Sequence, residues 1–369
     1  MLKRQMTIKT PGKLMVAGEF AVLEPYHRLV VMAVDRFVYC TIKDHDKNEL
    51  SLNDFDLTHL HWEYTESGVK FNCTDARIHF VKDAMTTTLT YLQEQSISIR
   101  PFSLSIKSEL DDKETGAKYG LGSSAAVVTS VVNAILTMFV GNNPSRKLIF
   151  KLAAISHIRT QGNGSGADIA ASTYGGVLLY ASFQADWLKK ELKKETSMTK
   201  MVKKDWEFLS IKKIDFPDEV QSCIGWTGSP ASTANLVQQI SKLKEENRKQ
   251  YEMFLRKSEH AVNLILSGMK SDDLKEFFEG ITENRKALAE IGKHAKVEIE
   301  TEKLYKLSKE AERFGGAGKL SGAGGGDCGI AFLPRHVFCE DLYKAWSDIG
   351  IQPLQLNVCR HGSQREHFE

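Results

Sequence analysis

The distribution of hydrophobic and polar residues predicts strands in the first part of the chain. Residues 6–42 are predicted to form a strand, a glycine turn and a second strand, because residues 29–34 and 37–42 are apolar or alternating runs rich in β-branched and aromatic side chains. Residues 102–107 alternate so that every second side chain is apolar, which predicts another strand with one buried face. A half-buried sheet is therefore expected near the N-terminus.

Helical spacing of apolar positions dominates the segments that follow. Helices are predicted over residues 76–94, 125–140 and 146–160, over a short alanine-rich segment after residue 166, and over most of 233–313. Further strands are predicted at residues 177–180 and 328–333, before a helix and a strand within 337–358. The lysine-rich segment 186–214 suggests a solvated hairpin or a domain connector. We therefore expect an α+β protein with two domains, residues 1–210 and 211–369.

The composition is that of a globular protein long enough for two packed domains. Its 369 residues are 42% hydrophobic and 26% charged, and 49 basic against 47 acidic side chains give a formal net charge of +2. So small a charge provides no broad field for nucleic acid or an anionic membrane, although residues 186–214 leave RNA or an acidic protein as alternative partners. The first residues lack the apolar core of a secretion signal, and no run approaches the roughly 18 apolar residues of a spanning helix, so a cytosolic location is expected.

Cysteine and histidine placement excludes several kinds of chemistry. The six cysteines lie far apart and form no CxxC pair, so we expect reduced thiols and neither disulfides nor a zinc site. The histidines are scattered, without the spacing of a metal hydrolase or the order of a nucleophilic triad.

The strongest candidate for chemistry is the small-residue segment 120–126, between a predicted strand and the long apolar helix. Its glycines let the backbone approach an anion, and the first turn of a helix offers unpaired N–H groups at the positive end of its dipole. The segment has neither the GxxxxGK[ST] nor the complete GxGxxG pattern, which disfavours the two common nucleotide-binding folds. Phosphate is the expected ligand, although Ser123 and Ser124 could instead simply cap the helix.

Three other segments add candidate groups. The glycine-rich run 321–327 leads into a predicted strand and indicates backbone that passes close to a ligand. Lys13 follows a Pro-Gly turn, and Asp168 follows the small-residue loop 162–166 at the start of a helix. Taken alone, Lys13 could be a solvated lysine and Asp168 could simply favour the helix dipole.

These four segments, in this order, resemble the motifs of the GHMP kinases over nearly the whole chain. The first family motif is similar to residues 11–20, the second to 120–126 and the third to 319–327. The family includes galactokinase, homoserine kinase, mevalonate kinase and phosphomevalonate kinase. Phe20 stands where mevalonate kinases usually carry histidine, and the chain is more similar to the members that act on phosphomevalonate.

The resemblance implies a GHMP kinase fold with the active site in a cleft between two domains. The N-terminal domain would be built around a βαβ-type nucleotide-binding unit and the C-terminal domain would be ferredoxin-like. Asp168 would be the catalytic acidic residue, Lys13 its cationic partner, and Ser124 a neighbour of Mg²⁺. Residues expected at the ATP phosphates are Lys118, Gly120, Leu121, Gly122, Ser123, Ser124, Ala125 and Ala126. Candidate acceptor-binding residues are Glu19, Tyr26, His27 or Arg28, Ser165, Ser229, Ser232, Ser321, Gly322, Ala323 and Gly324.

The implied activity is ATP-dependent phosphorylation of (R)-5-phosphomevalonate to 5-diphosphomevalonate in the mevalonate route to isoprenoids, by a monomer or homodimer. Mevalonate kinase, the ATP-using diphosphomevalonate decarboxylase and a ligand sensor without turnover remain alternatives. The second pKa of a phosphomonoester is about 6, so the acceptor is mostly dianionic at neutral pH. We therefore expect cations to matter more than a general base, and whether Asp168 acts as a base or only electrostatically stays open.

Overall fold

The computed structural model describes residues 4–112, 115–141, 143–230 and 233–366. Its strands are β1 (Gln5–Ala17), β2 (Arg28–Asp44), β3 (Glu49–Leu52), β4 (Leu57–Thr65), β5 (Gly68–Phe71), β6 (Phe102–Ser108), β7 (Val177–Ala181), β8 (Ser210–Ile214), β9 (Val220–Trp226), β10 (Ala317–Leu320), β11 (Cys328–Pro334), β12 (Gln352–Leu354) and β13 (Gln364–Arg365). Its helices are α1 (His79–Glu94), α2 (Ser123–Phe139), α3 (Arg146–Gln161), α4 (Ala167–Tyr174), α5 (Ala185–Lys194), α6 (Met198–Lys203), α7 (Thr233–Glu246), α8 (Arg248–Ser271), α9 (Leu274–Ala295), α10 (Glu302–Arg313) and α11 (Cys339–Asp348).

The larger sheet is built on the long antiparallel pair β1 and β2. Its strand order is β13-β1-β2-β6-β3-β4-β5, and β7 joins β2 and carries β8 on its other side. Strands β3 and β6 run parallel, across a connection that contains α1, which is the βαβ-type element that the resemblance implied. The strand, glycine turn and strand predicted over residues 6–42 are confirmed as β1, the connection that begins at Gly18, and β2, and the runs 29–34 and 37–42 both belong to β2.

Helix α2 is buried on almost all sides and packs against β1, β2, α1 and α3. Its uninterrupted run of apolar side chains explains this position, because only a helix surrounded by other elements can bury every face. The packing holds the N-terminal end of α2 directly beside β1. The segment 120–126 therefore lies against the strand that carries Lys13.

The smaller sheet has the order β10-β11-β9-β12 with antiparallel pairing. Four helices, α7 to α10, connect β9 to β10, and α11 connects β11 to β12. This alternation gives the ferredoxin-like domain that the resemblance implied. The helices predicted within 233–313 are confirmed, and side chains of Asn247, Asp273 and Thr301 accept backbone N–H bonds at the starts of α8, α9 and α10.

The segment 186–214 is not the solvated hairpin suggested by its lysines. It contains most of α5, all of α6 and β8, and its scattered apolar side chains reach the core. The buried anchors are Leu188, Met198, Met201 and Trp206. The ring of Trp206 packs edge-on against Phe183 at a centroid distance of 5.1 Å. The interpretation was wrong because a few large apolar residues are enough to anchor short helices whose other faces stay polar.

The last residues of the chain return to the larger sheet. Strand β13 pairs with β1, and Ser363 Oγ lies 2.8 Å from Thr10 Oγ and accepts a hydrogen bond of 2.8 Å from Asn133 Nδ2. Strand β8 pairs within the larger sheet and β9 within the smaller one. The division of the chain into two domains at residue 210 stays a prediction. Among the described residues, no helix is long and apolar enough to cross a membrane.

Candidate active site

The segment 120–126 forms a tight loop that ends in the first turn of α2. Gly122 is the residue that precedes the helix, with a left-handed φ of 79° that favours glycine. The first helical backbone bond runs from Ala126 N to Gly122 O at 3.1 Å, so the N–H groups of the preceding turn point out of the helix without an intrahelical acceptor. This is the geometry of an anion-binding helix terminus.

Ser123 and Ser124 are the first two residues of α2 and do not occupy the capping position. Gly122 has no side chain to cap with, so the alternative interpretation of the serines as caps is wrong. The hydroxyl of Ser124 instead lies 3.2 Å from Nε2 of His157 on α3. Neither serine side chain therefore caps the helix backbone, and both lie at the positive end of the helix dipole.

Lys13 and Asp168 converge on the same glycine. A Cβ atom at residue 122 would lie 3.1 Å from Lys13 Cε and 3.6 Å from Asp168 Cβ, so both side chains pack against Gly122. The Lys13 ammonium donates to Gly120 O at 2.8 Å, and Lys13 N donates to Leu121 O at 2.9 Å. The structure thus places the predicted cation and the predicted acid beside the helix terminus.

The glycine-rich run 321–327 closes over the other side of this loop. A Cβ atom at Gly120 would lie 2.6 Å from Asp327 Cβ, which explains why only glycine fits there. Ser321 Oγ accepts a hydrogen bond of 2.8 Å from Met15 N on β1. The glycine segments of the two domains are therefore in direct contact, as expected for a cleft between them.

One cavity is lined by the start of α2, and a second is lined by His157, which contacts Ser124. The larger, which we call the apolar cavity, has a volume of about 320 Å³. Its lining includes Phe55, Phe80, Ile106, Lys118, Ser123 and Ser124. The other, the small cavity, has a volume of about 120 Å³. Its lining includes Glu19, His157, Ser165, Asp168, Gly322 and Ala323. A groove of about 1040 Å³ lies elsewhere, between β8, β9 and α11, and none of the glycine segments lines it.

Lys118 stands at the entrance of the apolar cavity, opposite Asp111 in an isolated antiparallel bridge. The residue is exposed. Burial raises the pKa of the Asp111 carboxyl, and the charge of Lys118 opposes this effect.

Glu19 is buried in an ion pair that connects the two domains. Lys319 Nζ lies 2.5 Å from Glu19 Oε1, and both side chains are almost completely inaccessible. With its amide nitrogen turned towards Glu19, Asn284 donates to Glu19 Oε2 at 3.1 Å and accepts from Gly18 N at 3.2 Å. Burial lowers the pKa of the Lys319 ammonium, and the Glu19 carboxylate opposes the shift. The carboxylate of Glu19 lines the small cavity but is already neutralised.

Only some of the other candidate acceptor-binding residues line the small cavity. Ser165, Gly322 and Ala323 line the small cavity, and Ser321 and Gly324 belong to the loop beside it. Tyr26 is 67% exposed and packs against Phe208, and neither it nor His27 or Arg28 lines the small cavity in the described part of the chain. Arg28 donates from Nη2 to Asn263 at 2.6 Å. Ser229 is exposed and its carbonyl accepts from Asp327 N at 2.8 Å. Ser232 lies outside the described residues.

His157 also belongs to this site, although it was not predicted from the sequence. The side chain is 2% exposed, its ring lies 5.2 Å from the Phe80 ring, and it faces both Ser124 and the small cavity. Burial lowers the pKa of its imidazole, and the charge of Asp168 opposes this shift. A single histidine on a largely buried helix carries no local signal, because its meaning depends on a contact with a different helix.

The donor set suits a metal ion that arrives with its ligand. In the described part of the chain, no group of three or more histidine, cysteine, aspartate or glutamate side chains could hold a metal. Mg²⁺ commonly keeps several waters and takes only one or two protein ligands beside substrate phosphates. The hydroxyl of Ser124 fits that limited role.

Two family models match the chain. The model for the GHMP kinases N terminal domain matches residues 79–176, and the model for the GHMP kinases C terminal domain matches residues 265–348. The first match includes the loop before α2 and reaches past Asp168. The second covers helices α9, α10 and the glycine-rich run of the smaller domain.

Relatives are similar over nearly their whole length. A phosphomevalonate kinase from Streptomyces sp. (strain CL190) is 30% identical over 98% of this chain and 99% of its own. The crystal structure of the Lin0012 protein from Listeria innocua superposes with a TM-score of 0.92 at 37% identity, covering 99% of this chain and 100% of that one. Streptococcus pneumoniae phosphomevalonate kinase, in complex with phosphomevalonate and AMPPNP, gives a TM-score of 0.83 at 26% identity, covering 97% and 100%.

Proposed function

The chain belongs to the GHMP kinase family, and from this premise we propose that it transfers the terminal phosphoryl group of ATP to (R)-5-phosphomevalonate, giving 5-diphosphomevalonate. The similarity to the Streptomyces phosphomevalonate kinase over almost the complete chain supports this acceptor. The fold of the phosphomevalonate kinase that was solved with phosphomevalonate and AMPPNP supports it as well. The conclusion depends above all on one local observation, the convergence of Lys13 and Asp168 on Gly122.

The apolar cavity is the proposed site of the nucleotide base. Phe55, Phe80 and Ile106 provide apolar surface, while Ser123 and Lys118 provide polar groups at one end. Ligand sites commonly combine an apolar wall with a few polar groups that fix orientation. A base in this cavity would direct the phosphates towards the N-terminal end of α2.

The small cavity is the proposed site of the acceptor, beyond the phosphates. Transfer requires in-line positioning and neutralisation of charge more than covalent participation of the protein. At about 4 Å and an effective dielectric constant of about 20, each pair of like unit charges costs on the order of 4 kcal/mol. We therefore assign Lys13 and Lys118 to the transferring phosphates, with Asp168 beside the acceptor.

Mg²⁺ is proposed to accompany ATP and to be held by its phosphates with Ser124 as a protein neighbour. The ion would supply positive charge to the phosphate oxygens. The residues of the chain orient the phosphates: the N–H groups of the first turn of α2 bind oxygen atoms, and the ammonium of Lys13 stands beside them. A cytosolic location and a monomeric or homodimeric state are part of the same proposal.

ADP release should be measured in parallel with mevalonate, phosphomevalonate, diphosphomevalonate, homoserine and galactose. Phosphomevalonate should give the highest kcat/KM, and the product should carry a diphosphate. Release of CO₂ from diphosphomevalonate would indicate the decarboxylase instead, and preferred turnover of mevalonate would indicate a mevalonate kinase. ATP binding without turnover of any of these acceptors would contradict the proposed reaction.

A further inference from the structure

His157 stands at the boundary between the two cavities. Its imidazole lines the small cavity, whereas Ser124, which it contacts, lines the apolar cavity. The Nε2 to Oγ distance of 3.2 Å is that of a hydrogen bond. The bond therefore runs from one cavity to the other, across the place where a phosphoryl group would pass between nucleotide and acceptor.

The surroundings of His157 hold it in a single position. It is 2% exposed, and its ring packs on Phe80 at 5.2 Å with an interplanar angle of 30°. Phe80 itself lines the apolar cavity. The imidazole is thus packed on one side against the proposed base site and bonded on another to the helix terminus.

A neutral imidazole is suited to this position. It offers one hydrogen-bond donor and one acceptor, so Nε2 can pair with the Ser124 hydroxyl in either direction, depending on the tautomer. A freely rotating serine hydroxyl has several rotamers of similar energy, and fixing one of them in advance removes that entropy cost from the reaction. Ser124 needs such a partner because the helix does not restrain its side chain through a cap.

We propose that His157 is a positioning residue, which holds the Ser124 hydroxyl in the rotamer that faces the phosphates of bound ATP. It acts through Ser124 and not by contact with the reacting atoms. The identity of the ligand as a nucleotide rests on the proposed function. The pairing of His157 with Ser124 does not depend on which acceptor is used.

A double-mutant cycle with His157→Leu and Ser124→Ala tests the coupling. Each single variant should lower kcat about tenfold or more and should also weaken ATP binding, with a Kd raised about threefold or more. The double variant should fall no more than about threefold below the worse single variant, because both changes remove the same contact. His157→Gln, whose side-chain amide can reach Ser124, should retain activity within about fivefold of the unchanged protein.

ATP binding, measured by calorimetry with and without Mg²⁺ and without acceptor, separates this proposal from the proposed reaction. Each single substitution should raise the Kd for ATP, and the double variant should have a Kd close to that of the weaker-binding single variant. This result is expected even if no acceptor is turned over. Ser156→Ala, a buried change on the same helix, is the matched control and should leave Kd and kcat unchanged. The assignment would be overturned if the loss of activity in the double variant equalled the product of the two single losses. It would also be overturned if His157→Gln were as impaired as His157→Leu.

Discussion

Lys13 and Asp168 both pack against Gly122, but the proposed reaction should depend on them to different degrees. If the acceptor is already an anion, the ammonium of Lys13 offsets repulsion that exists in every turnover, whereas proton removal by Asp168 is seldom needed. Lys13→Met should therefore lower kcat by about 10³-fold or more, and Asp168→Asn by clearly less. Steady-state kinetics with phosphomevalonate provide the comparison, and thermal melting checks that both variants fold. Equal and complete loss in both would instead indicate an obligatory base.

The buried ion pair between Glu19 and Lys319 predicts an asymmetry in stability. Replacing only Lys319 by methionine leaves the Glu19 carboxylate unpaired in the interior, which should cost about 3–5 kcal/mol of the free energy of unfolding. The double variant Glu19→Gln/Lys319→Met removes both charges and should recover much of that loss. Urea unfolding of the three proteins measures the difference. A double variant less stable than the single one would contradict this account of the pair.

Burial of His157 also predicts a dependence of stability on pH. The unfolded chain binds a proton near the ordinary pKa of 6.5, whereas the native imidazole, whose pKa is lowered, remains neutral to lower pH. The free energy of unfolding should therefore decrease as pH falls below about 6.5 towards the lower native pKa. His157→Gln should show a shallower decrease over this range. Urea unfolding at several pH values tests this, and identical slopes would show that another group is responsible.

At the level of loops and helices, the two residues Gly122 and Gly162 allow a matched comparison. Their φ angles are 79° and 82°, so alanine at either position meets a similar backbone strain of about 1 kcal/mol. A Cβ atom at Gly162 would meet nothing within 4 Å, whereas one at Gly122 would lie 3.1 Å from Lys13. Gly122→Ala should therefore lower kcat/KM about tenfold or more, by displacing the lysine.

Gly162→Ala is the control for this prediction. It should lose a similar amount of stability in urea unfolding and keep kcat/KM close to that of the unchanged protein. If both variants lost activity to the same extent, backbone strain and not the position of Lys13 would explain the effect.

Elements that carry their own periodicity were predicted from the sequence, and elements that depend on distant partners were not. The apolar residues of α2 and of β2 follow one another in long runs, so the burial of both elements could be predicted from the local sequence. β10 and β13 have only four and two residues, and their pairing depends on strands far away in the chain. The strands between residues 49 and 71 were also missed, because many of their side chains are exposed and polar.

Some residues of the candidate site could likewise be predicted from the sequence, and others could not. Glycine-rich loops, Lys13 and Asp168 could be found because their small or charged residues cluster in sequence. The partners of Glu19 and the role of His157 could not, since both depend on contacts between remote elements. Tyr26 was expected at the acceptor site, but its exposed ring packs against Phe208 and does not line the small cavity.

Across the entire fold, the two sheets share one continuous buried cluster. Phe216 and Phe277 pack with Phe332 at centroid distances of 5.3 and 5.2 Å, and so join the segment after the larger sheet to the smaller domain. Glu19 and Lys319 add a polar connection at the active site. The domains should therefore unfold together. A single transition in urea, seen alike by tryptophan fluorescence and circular dichroism, is expected, and two separate transitions would contradict it.

The return of the C-terminal residues to β1 has a consequence for how this protein is made. Strand β13 and Ser363, which bonds to Thr10 and to the helix residue Asn133, complete a layer whose other members are translated hundreds of residues earlier. While the ribosome is still adding the smaller domain, the outer edge of β1 has no strand beside it. Strand edges in that state attract other chains, so the nascent polypeptide is vulnerable to aggregation until residues 364 and 365 emerge.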